Sequence, residues 1–349
     1  MVEAALKKNE ESQAVTPIYT DIIDVAVDNG YADQKVAFWA TKDGKRFIAE
    51  VLLPSRAQMG AINVAIDGKS AGVYDIDGEP WTVGRDVTEP ESIRGERYSY
   101  SEMNAVLVNH SLIAAGFAGR NVRISTGLPF EHFFKNGQPN KDLIEKVKAS
   151  LKTKVNPKGD FKAAIIKSHE LYPESTAAFV DYAVDEETGD MKNEIENGLA
   201  VVDIGGNTTD ITYINSDNQI NIQRSGSKKL GVLNVRDRLR RLIQDTFDVA
   251  EVRDAQLDRA LRTGSCKIFG QDQDVSEQID AAKKESVKKL MNYVEETVGD
   301  AGDLDMVLFV GGGAAVLGDV IKKYPHAHVP DRPQFANARG MLKYMSFVV

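Results

Sequence analysis

The sequence predicts a duplicated α/β fold, two similar halves around a common cleft, and three observations carry that prediction. Two segments, "IIDVAVDNG" and "LAVVDIGG", end an apolar strand in aspartate and glycine, and each opens a run of strands and helices. A charged stretch, "DEETGDMKNEIENG" at residues 185–198, separates the two runs. A third apolar strand, "MVLFV", ends in "GGGAAV".

The first half begins with "IIDVAV" (22–27), a turn at "DNG" and the strand "QKVAFWA", the pattern of a hairpin. Further strands are expected at "KRFIAEVLL", "AGVYDI" and "PWTVG". Met103, Val106, Leu107 and Ser111 recur at helical spacing from Glu102 to Phe117, with Gly116 and Gly119 near the end. "NVRISTGLP" reads as a buried strand, Asp142 to Leu151 as a helix, and "FKAAIIKS" as another strand. "PESTAAFVDYAV" reads as a helix with Pro173 in its first turn. The second half repeats the order, with strands "LAVVDIGG", "DITYI" and, after a turn at "NSDN", "QINIQR". Helices are expected at 232–247 and 281–298, the latter with a core-facing stripe of Val287, Leu290, Met291, Val294 and Val298. "MVLFV" then leads through "GGGAAVLG" into a short helix.

Composition sets the outer bounds. The chain has 349 residues, 42% hydrophobic and 27% charged, enough for two or three domains of about 100–200 residues each and too apolar to stay disordered. No apolar run approaches the roughly 20 residues that span a bilayer, so no membrane association is expected. The start, "MVEAALKKNEESQAVTP", lacks the apolar region of a signal peptide, so residues 1–20 read as a polar extension. The single cysteine, Cys266, excludes an intrachain disulfide framework and a cysteine-cluster zinc site. It reads as a small core residue and fits a cytoplasmic location. A formal net charge of -9 argues against direct binding to nucleic acid. His326 and His328 have no third ligand nearby in sequence and read as a solvated loop.

The glycine turns carry the chemistry. Asp28-Asn29-Gly30, Asp203-Ile204-Gly205-Gly206 and Gly311-Gly312-Gly313 each follow an apolar strand. Each permits positive φ and a close approach of backbone N–H groups to an anion. One carboxylate beside a triphosphate would repel it, whereas two make sense around Mg²⁺, so Asp28 and Asp203 are expected to face each other across the cleft. "DNG" and "GGG" alone are ordinary turns; "DIGGNTTD" is harder to explain as a turn. Walker A is absent, and "GGGAAV" lacks the last glycine of a dinucleotide fingerprint.

"DNGYADQK", "VVDIGGNTTD" and "LFVGGGAAV" resemble the two phosphate motifs and the adenosine motif of the actin, Hsp70 and sugar kinase superfamily. "NHSLIAAGF", "STGLPFEHFFKNGQPN", "HELYPESTAAF" and "KKLGVLNVRDRL" resemble, in order, segments of the ParM (StbA) group of plasmid segregation ATPases. The resemblance runs from about residue 22 to the C-terminus. It implies an actin-like duplicated fold around a nucleotide cleft. Domain I is expected at 21–192 with 334–349, and domain II at 193–333.

By the same resemblance, Asp28 and Asp203 match the Mg²⁺-associated aspartates. Asn29, Gly30, Gly205, Gly206, Asn207 and Thr208 match the phosphate cradle, and Lys35 the lysine that neutralises it. Gly231, Gly311, Gly312 and Gly313 match the glycines that admit ribose and base. Glu174 reads by itself either as a helix N-terminal carboxylate or as a catalytic group; the resemblance implies that it orients the attacking water. The chain departs from the pattern at Tyr31 and Ala32, where a small glycine, serine or threonine is usual, so Tyr31 must point elsewhere or shape the pocket.

The expected function is a filament-forming, Mg²⁺-dependent ATPase, or GTPase, that drives plasmid partition through a ParR-like DNA-binding adaptor. Base contacts are sought in segments such as "ALRTGSCKIFG". A small-molecule kinase of the same superfamily and an Hsp70-like ATPase remain the alternatives. The kinase would need an acceptor site that no segment suggests. The chaperone would need a substrate-binding domain beyond residue 349.

Overall fold

The computed structural model describes residues 16–18, 20–60, 72–84, 87, 90–91, 95–159, 161–192, 195–314 and 321–348. These form two compact units. One comprises the described residues up to Glu196 together with those from Pro330 onward; the other comprises Asn197–Val329.

In the first unit the main sheet runs in the order β1-β3-β2-β8-β12, with β4 also paired to β3. Its strands are β1 (Thr16–Pro17), β2 (Ile23–Asn29), β3 (Asp33–Lys42), β4 (Lys45–Pro54), β8 (Asn121–Leu128) and β12 (Ile165–Pro173). A smaller sheet, β11-β6-β7-β5, contains β5 (Ala57–Met59), β6 (Val73–Ile76), β7 (Glu79–Val83) and β11 (Asn156–Pro157). A short hairpin joins β9 (Phe134–Lys135) and β10 (Gln138–Pro139).

Period-two alternation assigns the two faces of the main sheet. Val25, Val27, Val36, Phe38 and Ala40 enter one core with helix α1 (Glu102–Ala114). Ala26, Ala37 and Trp39 enter the other, whose helical residues are Ala177 of one helix and Ala338, Met341 and Leu342 of another. Those helices lie far apart in sequence, at Glu174–Ala183 and Ala336–Lys343. Helices α2 (Phe130–Phe133) and α3 (Lys141–Ser150) come between them in chain order, so the two are α4 and α8. Gly340 of α8 lies directly against α4, where an added Cβ would run into the Ala177 carbonyl. Arg339 then bridges Glu50 at 2.8 Å and Asp181 at 2.7 Å, and Lys343 reaches Asp181 at 3.0 Å.

The second unit contains a five-stranded sheet, β15-β14-β13-β18-β19. Its strands are β13 (Leu199–Ile204), β14 (Thr209–Ile214), β15 (Gly226–Lys228), β18 (Met306–Val310) and β19 (Ala327–His328). Helix α7 (Ser276–Val298) covers it, with Leu290, Val294 and Val298 buried and Val287 and Met291 packed at the margin. A second core joins α5 (Val232–Phe247), α6 (Asp254–Thr263), α7 and the hairpin of β16 (Ser265–Ile268) and β17 (Gln271–Asp274). Cys266 is buried there as a small apolar residue, and burial pushes its thiol up.

Several expectations fail locally. Thr16–Pro17, read as part of the extension, pairs with Thr41 and Ala40. Helix α1 stops at Ala114, because Gly116 at φ 95° turns the chain back and Phe117 N donates to Leu112 O at 3.0 Å. The strand expected at 161–168 lies later, at Ile165–Pro173, where His169, Leu171 and Pro173 alternate inward along β8. Pro173 therefore ends that strand, and Glu174 is the first residue of α4. "QINIQR" is not a strand: the Asn221 side chain accepts from Gln223 N and Arg224 N and winds 222–224 into a 3₁₀ turn. The helix expected after "GGGAAVLG" falls outside the described residues.

Candidate functional site

In the first unit, β2, β8 and β12 are parallel neighbours, and their carboxyl ends, where open α/β sheets place ligands, carry the candidate residues. Asp28 stands opposite Lys35 on β3, with Lys35 Nζ 3.1 Å from Asp28 Oδ2. Burial works against the Lys35 ammonium, but Asp28, Asp33 and Glu174 outweigh it and hold its pKa above the ordinary lysine value. Gly30 has ordinary φ. It is needed for closeness, since a Cβ would lie 2.7 Å from Lys35 Nζ and 3.0 Å from Asp33 O.

Glu174 starts α4 immediately after β12 and lies over Gly127, where a Cβ would meet Glu174 Cγ at 2.6 Å. The structure thus gathers Asp28, Gly30, Lys35 and Glu174. Asn29 is buried and turned inward: its Nδ2 donates to Asn104 Oδ1 at 3.0 Å, and its Oδ1 accepts from Gly127 N at 3.2 Å. Both ends of the amide are engaged by the fold, so Asn29 ties the turn to α1 and β8.

Tyr31 points aside. Its hydroxyl donates to Gly95 O at 3.1 Å and its ring lies 4.9 Å from Tyr98. The Gly30 carbonyl accepts from Ser55 Oγ at 2.6 Å and Tyr98 OH at 3.2 Å. Gln34 Nε2 donates to both hydroxyls, at 2.8 and 3.0 Å. Burial pushes the Tyr98 phenol well above its usual range and keeps it a donor. Gln34, Ser55, Tyr98 and Asn104 form a support for the turn that the sequence reading missed. They are scattered over separate elements and carry no motif.

In the second unit β13 and β18 are parallel, and their carboxyl ends lead into the other two glycine turns. Asp203 is buried, paired in register with the buried Asp210 of β14, and Ser227 Oγ donates to Asp210 Oδ1. Gly311 is the one predicted site glycine with positive φ, at 85°. An added Cβ there would run into Asp203 Oδ1 and the Ile204 carbonyl, and one at Gly313 into the Ile204 side chain. Gly312 has nothing within 4 Å of its Cβ position. Of the positive φ and the close approach expected of these glycines, Gly311 shows the first, and Gly30, Gly231, Gly311 and Gly313 leave no room for a Cβ.

Gly205 N donates to Thr208 O at 2.9 Å, closing a tight turn over the buried Asn207 and Thr208. Val232 N and Leu233 N, at the start of α5, donate to Gly205 O and Gly206 O at 3.2 and 2.9 Å. Gly231 packs on that same turn, where a Cβ would meet Asn207 N at 2.7 Å. Gly231 and Gly313 also line a pocket with Asn234, Asp237, Arg238 and Arg241 of α5 and Glu285, Ser286 and Lys289 of α7. Arg238 Nε lies 3.0 Å from Glu285 Oε2, and Lys289 Nζ donates to Glu285 Oε1 at 3.0 Å. These pocket residues were missed, although they recur at i, i+3 and i+4 beside each helix's apolar stripe. Residues 260–270, one of the segments expected to select the base, finish α6 and build the β16–β17 hairpin.

Among the described residues, no three His, Cys, Asp or Glu side chains cluster as a protein-only metal site requires. No described helix is long and apolar enough to cross a membrane.

Residues 23–186 match the family model described as plasmid segregation protein ParM, N-terminal. Residues 201–323 match the model described as archaeal actin homologue MreB-like, C-terminal. The curated proteins include no match. Among solved structures, an archaeal actin homologue superposes with TM-score 0.72 at 20% identity, over 93% of this chain and 99% of that one. Its complex with ADP gives TM-score 0.71 at 21% identity, over 93% and 99%. A 15-stranded ParM filament from Clostridium botulinum gives TM-score 0.69 at 21% identity, over 94% and 99%.

Proposed function

We propose, from the premise that this chain is a ParM-like member of the actin-like proteins, that it hydrolyses a nucleoside triphosphate, assembles into filaments and drives plasmid partition. The observation that carries this reading is the seat of Glu174 over Gly127, close enough to the buried Lys35 to help hold its charge. An acid over a glycine and beside a buried lysine suits a water-positioning role. The relatives point the same way, since one was solved with ADP and another as a filament.

We assign the base and ribose to the pocket of α5 and α7, and the phosphates to Gly205, Gly206, Asn207, Thr208 and Gly30. Lys35 remains protonated throughout the physiological range and neutralises phosphate oxygens. Two strand-end carboxylates beside glycine turns fit a metal carried in on phosphate, and Asp28 and Asp203 would hold Mg²⁺, directly or through its waters. When bound, Mg²⁺ supplies neutralisation of the phosphate charge. Glu174 accepts a hydrogen bond from the attacking water and orients it. ATP is the first expected substrate and GTP the second. Partition further requires a ParR-like adaptor, because an acidic chain does not grip DNA.

Asp203→Ala tests the assignment. The variant is expected to fold, since alanine keeps the strand backbone and removes a buried carboxylate that stands opposite the buried Asp210, and to lose Mg²⁺-dependent phosphate release. Wild-type turnover by the folded variant would remove Asp203 from the site.

A further inference from the structure

A buried chain of hydrogen bonds runs from the seat of Glu174 into α1, and every link in it points the same way. Gly127 N donates to Asn29 Oδ1 at 3.2 Å, Asn29 Nδ2 to Asn104 Oδ1 at 3.0 Å, and Asn104 Nδ2 to Ser99 O at 2.8 Å. The first group can only donate and the last can only accept, so both amides have a single allowed orientation. Asn29 and Asn104 are 4% and 0% exposed, which screens these bonds from solvent. Asn104 is itself held in the first turn of α1, where its N–H donates to the capping Ser101 Oγ at 3.1 Å. The chain begins where the strand ladder leaves off. The register of β2 with β8 ends at Val27 and Thr126, and one residue further the Asn29 side chain supplies the acceptor for Gly127. Glycine has no side chain to wedge its own backbone, so the peptide beneath Glu174 depends on such a bond for its position.

We propose that Asn104 is a positioning residue for hydrolysis, which acts through Asn29 and Gly127 to fix the height and aim of Glu174. The inference rests on the water-positioning reading of Glu174 above and extends it to a fully buried residue of α1. The arrangement needs an amide at both places. Asn29 must accept from Gly127 and donate to Asn104 at once, and Asn104 must accept from Asn29 and donate to Ser99 at once. Neither leucine nor an ionised carboxylate can do both. A misplacement of about 1 Å at a reacting group can cost on the order of 10²-fold in rate, so a small slip of this peptide is enough. Buried amide pairs commonly serve the fold alone; this one ends on the peptide that seats the acid.

Asn104→Leu nearly keeps the side-chain volume and removes both bonds; Asn104→Ala takes its place if leucine prevents folding. Single-turnover phosphate release at saturating nucleotide reads the chemical step, in the wild-type and Glu174→Ala backgrounds. In the wild-type background the rate is expected to fall about tenfold to a hundredfold. The nucleotide Kd should stay within about threefold, since the loss falls on the chemical step. In the Glu174→Ala background the same substitution should change the rate less than about twofold, because the group it positions is gone. Equal losses in both backgrounds would show a general structural role and overturn the proposal, as would failure of both variants to fold. An unchanged rate in a folded Asn104 variant, beside a large loss in Glu174→Ala, would refute the coupling and leave the reading of Glu174 standing. Wild-type turnover by Glu174→Ala would refute that reading and the proposal with it.

Discussion

At residue 127 an added Cβ would sit 2.6 Å from Glu174 Cγ and 3.1 Å from Glu174 Oε1, so the side chain proposed to position water has its seat only over glycine. Gly127→Ala should therefore act as a displaced-Glu174 variant. Nucleotide binding should be kept while hydrolysis falls by about 10²–10⁴, the range for loss of a general acid or base. Single-turnover phosphate release measures this, and an unchanged rate would detach Glu174 from the reaction. Two buried histidines make a second residue-level prediction. Burial lowers His110 to about 4 and His169, which also faces Lys148, to about 3, from an ordinary 6.5. Both are neutral in the fold, so below 6.5 the unfolded chain takes up protons that the folded chain refuses. Their contribution is complete above 6.5 and is lost as pH falls towards 4 and 3, by up to about 1.4 kcal/mol per pH unit for each. Denaturation midpoints should fall from pH 7 to 5, and His110→Gln should flatten that slope. An identical slope in the variant would contradict the assignment.

Among the elements, strands that end in glycine turns were legible because buried parallel strands read as continuous apolar runs. β2, β13 and β18 lie where "IIDVAV", "LAVVDI" and "MVLFV" place them. β12 was misplaced because its register follows β8, a partner far away in sequence, and its inward residues His169 and Pro173 are not apolar strand formers. "QINIQR" failed for the opposite reason, a local Asn221 turn overriding strand-like alternation. The candidate site was legible where motif and backbone coincide, with Asp28, Gly30, Asp203 and Gly311 at or beside the ends of buried strands. It was hidden where support comes from single residues on other elements, as with Gln34, Ser55, Tyr98 and Gly127. Helix α8 was missed although it closes one face of the first unit, and "ARG" gives no hint that Gly340 lies on α4. Gly340→Ala must push the two helices apart and should cost about 1–3 kcal/mol as an overpacked contact. Equilibrium unfolding tests this, and a neutral effect would contradict the packing described.

For the whole molecule, each unit by itself carries its candidate residues at the carboxyl ends of parallel strands, β2, β8 and β12 in one and β13 and β18 in the other. The overall charge of -9 argues against a direct electrostatic grip on DNA. The protein alone should leave centromere-like DNA unshifted at physiological salt, and capture should appear only with a basic adaptor. Salt-resistant binding by the protein alone would overturn the indirect tether. The central claim is that nucleotide drives assembly and hydrolysis limits its lifetime. Light scattering after addition of ATP, and separately GTP, tests it most directly, with wild type beside Glu174→Ala. Wild type should show a rise followed by decay as phosphate is released, and Glu174→Ala a rise of similar size that persists. No rise with either nucleotide, or decay of the Glu174→Ala signal at the wild-type rate, would contradict the account.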